Sequence, residues 1–146
     1  MPNHSANEAS VSTADFYRII RAQIEHEDNL VTQRLSWFLA SQAFLFSALA
    51  ILINGPEVSR FGAREQMVFF RVIPVLGIAI GVLIWFAIWG GVLSMARLRR
   101  LALTRTDLSG FPPIHGPRKT RFMGLSAPVL LPPLFVIVWG MLLVVG

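Results

Sequence analysis

Three long apolar stretches divide the chain, and polar segments separate them. They cover residues 35–54, 72–95 and 122–145. Each is as long as the roughly 20 residues that an α-helix needs to cross the hydrocarbon core of a bilayer. No segment has the pattern of a β-strand. The sequence therefore predicts an all-α integral membrane protein with three transmembrane helices.

Helical periodicity continues from the first stretch toward the N-terminus. Its apolar positions are Phe16, Ile20, Ile24 and Val31. No Gly or Pro interrupts this region before Asn54, so nothing in it breaks a helix. We expect one helix over residues 13–54, with its transmembrane part at 35–54 and its first half extending into the cytoplasm. Residues 1–11 are predicted to be a disordered tail, and 12–146 a single membrane domain.

The second and third apolar stretches have different surroundings. Between the first and second spans, residues 58–71 mix aromatic and charged side chains and are predicted to form a short interfacial helix. The second span, 72–95, continues without a breaker into a predicted cytoplasmic extension that ends at residue 108.

The third span contains Pro128, Pro132 and Pro133. Because each proline removes a backbone hydrogen bond, we expect a neighbouring helix to pack along its first half.

Composition supports the membrane assignment and excludes several kinds of site. Hydrophobic residues make up 54% of the chain and charged residues only 14%, whereas soluble domains are about a quarter charged. Cysteine is absent, which excludes disulfides and cysteine-ligated metal sites. The net charge is +5, and its basic residues lie beside apolar segments. We therefore expect anionic lipid head groups as the partner, and no nucleic acid.

The distribution of basic residues predicts the orientation. The N-terminal segment and the second connection together carry ten Arg or Lys residues, and the first connection carries three. Positive charges accumulate on the cytoplasmic side of a membrane protein. The N-terminus is therefore predicted in the cytoplasm and the C-terminus outside, in a multi-pass protein of a bacterial cytoplasmic (inner) membrane.

Small and polar residues form a stripe along the first helix. Its eight members are Asn29, Gln33, Ser36, Ala40, Ala43, Ser47, Ala50 and Asn54. They are spaced alternately four and three apart, which is the repeat of a left-handed supercoiled seam. One interpretation is close packing against the second or third helix of the same subunit or against another copy of the first helix. The other is a pore wall in a ring of subunits, with stacked polar rings.

Two further features indicate helix packing within the membrane. Gln42 lies off the stripe in the first span, where an unbonded amide is costly. We expect it to form an interhelical hydrogen bond, for example to a carbonyl freed by Pro132 or Pro133, rather than to contact a ligand or ion. Gly77 and Gly81 lie one turn apart in the second span, a spacing typical of closely approaching helices.

Charged clusters flank the first two spans on the predicted cytoplasmic side. The acidic cluster is Glu25, Glu27 and Asp28, and the basic cluster is Arg97, Arg99 and Arg100. Adjacent helical residues point about 100° apart, so the segment around His26 does not predict a metal site. Instead we expect a two-helix stalk with ion pairs between the clusters. Glu27 matters most, because it falls on the apolar face of its helix.

No motif predicts catalysis, and neither a cofactor nor a metal is expected. Arg118, Lys119 and Arg121 precede the third span and are predicted to set the topology or to contact lipid head groups. Two function classes remain open. The first is a self-assembling membrane protein, a homo-oligomeric channel lined by the first helix. The second is a non-catalytic accessory or scaffold subunit of a larger membrane complex.

Overall fold

The computed structural model describes residues 12–54, 62–104 and 118–145. Three helices make up 97% of these residues, and no strand occurs among them. They are α1 (Thr13–Asn54), α2 (Ala63–Leu103) and α3 (Arg118–Val145). Each helix is long and apolar enough to cross a membrane. The prediction of an all-α membrane protein with three transmembrane helices is confirmed; the predicted N-terminal tail lies outside the described residues.

Helix α1 is a single element of 42 residues. Ser12 caps its N-terminus, because the Asp15 backbone N–H donates to Ser12 Oγ at 3.2 Å. One side of α1 is buried along almost its whole length, and we call this side the α1 seam. Its members are Tyr17, Ile20, Ile24, Val31, Phe38, Gln42, Leu45 and Leu49. Their spacing keeps one face of α1 toward its neighbours.

Helix α2 begins earlier than predicted. It runs without interruption from Ala63 through the buried Pro74 to Leu103. The prediction of a separate interfacial helix over 58–71 is therefore wrong for the part of that range that the structure describes. No Gly or Pro lies between Ala63 and Pro74 to end a helix there. Glu65 supports the new start by accepting a hydrogen bond from the Gly62 backbone N–H at 3.3 Å. The predicted extension beyond Thr104 lies outside the described residues.

Helix α2 packs along both α1 and α3, whereas α1 and α3 contact each other more sparsely. The three prolines of α3 lie inside the helix, and Pro132 is fully buried. Two clusters form the core. One joins Ile24 and Val31 to Ile88 and Met95. The other joins Leu45, Leu49, Ile73 and Trp139.

Most of the apolar surface of the spans remains uncovered in one subunit. Only 17–28% of the most apolar part of each candidate span is buried. In a bilayer this surface meets lipid tails or other helices. The subunit therefore offers extensive sides on which lipid or further protein can pack.

Candidate functional site

The stripe is exposed over its whole length. All eight members, Asn29, Gln33, Ser36, Ala40, Ala43, Ser47, Ala50 and Asn54, are exposed in the subunit. Val31, Phe38 and Leu45 of the α1 seam each lie two positions from two stripe residues. Because two residues turn a helix by about 200°, the stripe and the seam occupy opposite faces. Packing of the stripe against α2 or α3 of the same subunit is thereby ruled out.

Three polar groups of the stripe bond within their own helix. Ser36 Oγ donates to the Thr32 carbonyl at 3.0 Å, and Ser47 Oγ donates to the Ala43 carbonyl at 2.8 Å. Asn54 Nδ2 donates to the Ala50 carbonyl at 3.3 Å. These contacts reduce the cost of placing hydroxyl and amide groups against an apolar neighbour. The exposed face is therefore compatible with close contact to another helix and with water.

Large side chains border the stripe on one side. Trp37, Phe44 and Ile51 recur every seven residues and are 70%, 73% and 67% exposed. Each lies one position after a small stripe residue, on the adjacent shoulder of α1. A row of large side chains beside a row of small ones offers both ridges and grooves to an approaching helix.

Two hydrogen bonds define the axial register of α1 against α2. Arg34 Nη1 donates to the Ala87 carbonyl at 2.9 Å, and Ser94 Oγ donates to Glu27 Oε1 at 3.2 Å. Because the two helices are antiparallel, residues 28–33 of α1 lie level with residues 88–93 of α2.

The outer sides of α1 and α2 differ in polarity at that height. Asn29 and Gln33 are exposed on α1. Trp89 and Leu93 are 45% and 56% exposed on α2. One side of the bundle thus presents amides where the other presents large apolar groups.

A buried polar contact joins the three helices. Trp139 Nε1 of α3 donates to Gln42 Oε1 of α1 at 2.6 Å, and these side chains are 0% and 1% exposed. The Trp139 ring stacks on Phe46 with centroids 4.3 Å apart. Gly77 of α2 borders the indole so closely that a methyl group there would overlap it.

The partner of Gln42 differs from the expected one. A carbonyl freed by Pro132 or Pro133 would have to accept a hydrogen bond from Gln42 Nε2, and that atom has no such partner among the described residues. The amide instead accepts from the Trp139 indole through Oε1. Gln42 thus forms an interhelical hydrogen bond, as expected, but its partner is the Trp139 indole and not a freed carbonyl, because the indole and not the proline segment lies level with it.

Gly81 lies one turn from Gly77 and is also buried. A Cβ atom at Gly81 would lie 2.7 Å from Val136 Cγ2 and 3.6 Å from the Pro132 carbonyl oxygen. Phe38 of α1 packs edge-on against Phe135 in the same region, with ring centroids 5.3 Å apart. The glycine spacing thus coincides with a close approach of α2 to α3.

The stalk has a different polar contact from the expected ion pairs. We use "stalk" for residues 13–34 of α1 with 92–103 of α2. Glu25, Asp28, Arg97 and Arg100 are exposed, and Arg99 is half-buried. Within the described residues, the one ion pair joins Arg18 to Asp15 on α1 itself. Glu27 is half-buried and bonds Ser94, because the antiparallel register brings that hydroxyl, and not an arginine, opposite it.

Three residues that position these contacts were missed at the sequence level. They are Arg34, Ser94 and Trp139. Arg34 and Ser94 lie on the sides of α1 and α2 that face each other. In the sequence, however, a single Arg at the edge of a span resembles a topology signal, and a single Ser resembles a helix-packing residue. Trp139 resembles an interfacial aromatic residue. Arg118, Lys119 and Arg121 lie in the first turn of α3, and their side chains are outside the described part of the structure.

In comparisons with known proteins, no family model matches the chain, and neither a curated protein nor a solved structure is significantly similar to it. Any functional proposal therefore depends on the geometry of the three helices.

Proposed function

We propose that the protein assembles with further copies of itself into a closed ring, and that the stripes of its α1 helices surround a path for ions or small polar solutes. The observation that carries the proposal is the exposure of all eight stripe residues on the face of α1 opposite the seam. In a closed ring of subunits, that face would point toward the axis, and α2 and α3 would point toward lipid. Rings of polar side chains and small apolar constrictions are the elements from which pores are built.

The difference in polarity at equal height supports this arrangement. Asn29 and Gln33 would line a water-filled entrance, while Trp89 and Leu93 would contact lipid. Deeper along the same face, Ala40 and Ala43 would form a narrow apolar neck and Ser47 a polar ring. A subunit surrounded by lipid on every side would instead expose the amides and the large apolar groups to one environment.

The proposal includes a location and an orientation. We place the protein in a bacterial cytoplasmic membrane with the N-terminus inside and the C-terminus outside. The excess of basic residues at the N-terminal segment and second connection supports this choice. Arg118, Lys119 and Arg121 would then meet anionic head groups at the cytoplasmic face.

The first test is the number of subunits, measured by native mass spectrometry of the protein released from nanodiscs. We expect a closed assembly of four or more copies. A monomer or a dimer would contradict a pore lined by α1, because neither encloses a path. The stripe would then serve packing alone.

Flux through vesicles that contain the purified protein then distinguishes a pore from a packing seam. We expect Ser47→Leu to abolish flux and to retain the subunit count, because a larger apolar side chain would block a polar ring. Ala79→Leu is the matched control, since Ala79 is exposed on the span of α2 and would face lipid. Loss of assembly in Ser47→Leu with normal assembly in Ala79→Leu would show a packing seam instead of a pore.

The stalk favours a second candidate function, a non-catalytic accessory subunit of a larger membrane complex. Glu25, Asp28, Arg97 and Arg100 are exposed, and in the described part of the chain they form no ion pair with one another. They are therefore available to a charged partner protein. A monomer that co-purifies with an unrelated membrane protein, and loses it on Arg97→Glu with Arg100→Glu, would support this role.

A further inference from the structure

Two adjacent glycines lie in α2 where the span meets the stalk. Gly91 is buried, and a Cβ atom there would lie 3.0 Å from Val31 Cγ2 of α1. Gly91 is thus explained by the close approach of the two helices. Gly90 is exposed, and a Cβ atom there would meet no neighbour within 4 Å. Packing within the subunit gives no reason for glycine at position 90, although glycine weakens a helix relative to alanine.

The two hydrogen bonds between α1 and α2 lie on either side of this glycine pair. Arg34 bonds the carbonyl of Ala87, before the pair, and Glu27 accepts a bond from Ser94, after it. Both side chains also border Gly91: its Cβ position would be 3.2 Å from Arg34 Nη1 and 3.6 Å from Glu27 Oε2. The two contacts therefore hold the segments of α2 before and after the glycines against one helix.

Helix α1 is stiffer than α2 by composition. It contains no Gly or Pro over its 42 residues, whereas glycine pairs are among the recognised sites of helix bending. A bend in this region would therefore occur in α2, with α1 as the straight support.

We propose that Gly90 and Gly91 form a hinge in α2, and that the Arg34–Ala87 and Glu27–Ser94 hydrogen bonds are a clasp that keeps the hinge straight. When the clasp opens and the apolar contacts of Met95 and Ala102 with α1 also separate, residues 92–103 change their angle to the span. The α2 part of the stalk then moves independently of the membrane-spanning part of α2. This proposal rests on the contacts between α1 and α2, and it holds whether or not the protein forms a pore.

Hydrogen exchange of the purified full-length protein in nanodiscs is the first test. Opening of the hinge breaks the helical hydrogen bonds that follow it, so we expect the amides of residues 91–94 to exchange faster than those of residues 82–86. Gly90→Ala should slow exchange at 91–94 by about fivefold, the equilibrium factor that corresponds to the helix-propensity difference between Gly and Ala. Position 90 has room for the added methyl group, so this variant is expected to fold.

Gly140→Ala in α3 is the matched control, because a Cβ atom at Gly140 would likewise meet no neighbour within 4 Å. It should leave exchange at residues 91–94 unchanged. The hinge is contradicted if residues 91–94 exchange as slowly as 82–86, or if Gly90→Ala has no larger effect there than Gly140→Ala.

Spin-label distances test the clasp separately. The chain lacks cysteine, so His26→Cys on α1 and Leu103→Cys on α2 supply the only attachment sites for spin labels. Mixing with unlabelled protein suppresses distances between labels on different subunits. In the pair Arg34→Leu with Ser94→Ala, we expect a broader distance distribution that extends to longer separations. Adding Gly90→Ala should narrow it again. An unchanged distribution in the unclasped variant, or no narrowing by Gly90→Ala, would overturn the clasped hinge.

Discussion

One face of α1 is buried against α2 and α3, and the opposite face is exposed from Asn29 to Asn54. On both faces, the residues recur at nearly the same helical spacing. The buried face carries large apolar residues and the amide of Gln42, whereas the exposed face carries small residues with hydroxyl and amide groups. A sustained repeat thus identifies a face suited to packing, while the size and polarity of its residues decide what covers that face.

The two faces should also respond differently to substitution. Changes on the buried face disturb contacts within one subunit, and changes on the exposed face leave the subunit intact and act on whatever lies beyond it. Matched substitutions on the two faces test this difference.

The largest effect is expected where the helices approach most closely. Gly77→Ala places a methyl group against the Trp139 indole, and we expect a loss of about 1–3 kcal/mol in the free energy of unfolding, as for other overpacked cores. SDS titration of the micelle-embedded protein measures this change. Gly140→Ala, at an open position of α3, should be neutral or slightly stabilising. Equal losses in both variants would contradict the close contact of Gly77 with the Trp139 indole.

A smaller effect is expected for the buried hydrogen bond. Gln42→Leu removes the acceptor of Trp139 Nε1, and a double-mutant cycle with Trp139→Phe should give a coupling of about 0.6–2 kcal/mol, the range for hydrogen bonds between membrane helices. Gln33→Leu, the same change on the exposed face, should leave the free energy of unfolding of the subunit nearly unchanged. Additive effects of Gln42→Leu and Trp139→Phe would show that the contact does not stabilise the bundle.

The smallest effect is expected in the stalk. Glu27→Arg removes the acceptor of Ser94 and adds a positive charge near Arg34, so it should lower the free energy of unfolding by about 1 kcal/mol. Glu25→Arg is the control, because Glu25 is exposed and forms no ion pair with α2 in the described part of the chain. Thermal denaturation in one detergent compares the two variants; the same melting temperature for both would exclude a stabilising role for Glu27.

Parts of the candidate site could be predicted because they depend on short-range spacing. The stripe, the position of Glu27 on the apolar face and the pairing of Gly77 with Gly81 all follow from helical periodicity. The partners could not be predicted in this way. Trp139 is 97 residues from Gln42 in the sequence. Only the axial positions of α1 and α3 in the bundle place the indole, and not a freed carbonyl, beside the Gln42 amide.

The three long helices, and the ability of each to cross a membrane, could be read from the sequence alone. Apolar length and the absence of helix breakers within α1 are properties of contiguous residues, so they need no knowledge of neighbours. The tertiary structure alone decided which face of α1 is covered. Residues on opposite faces can share one spacing, and only the packing of α2 and α3 against the larger side chains of the seam distinguishes the buried face from the exposed stripe.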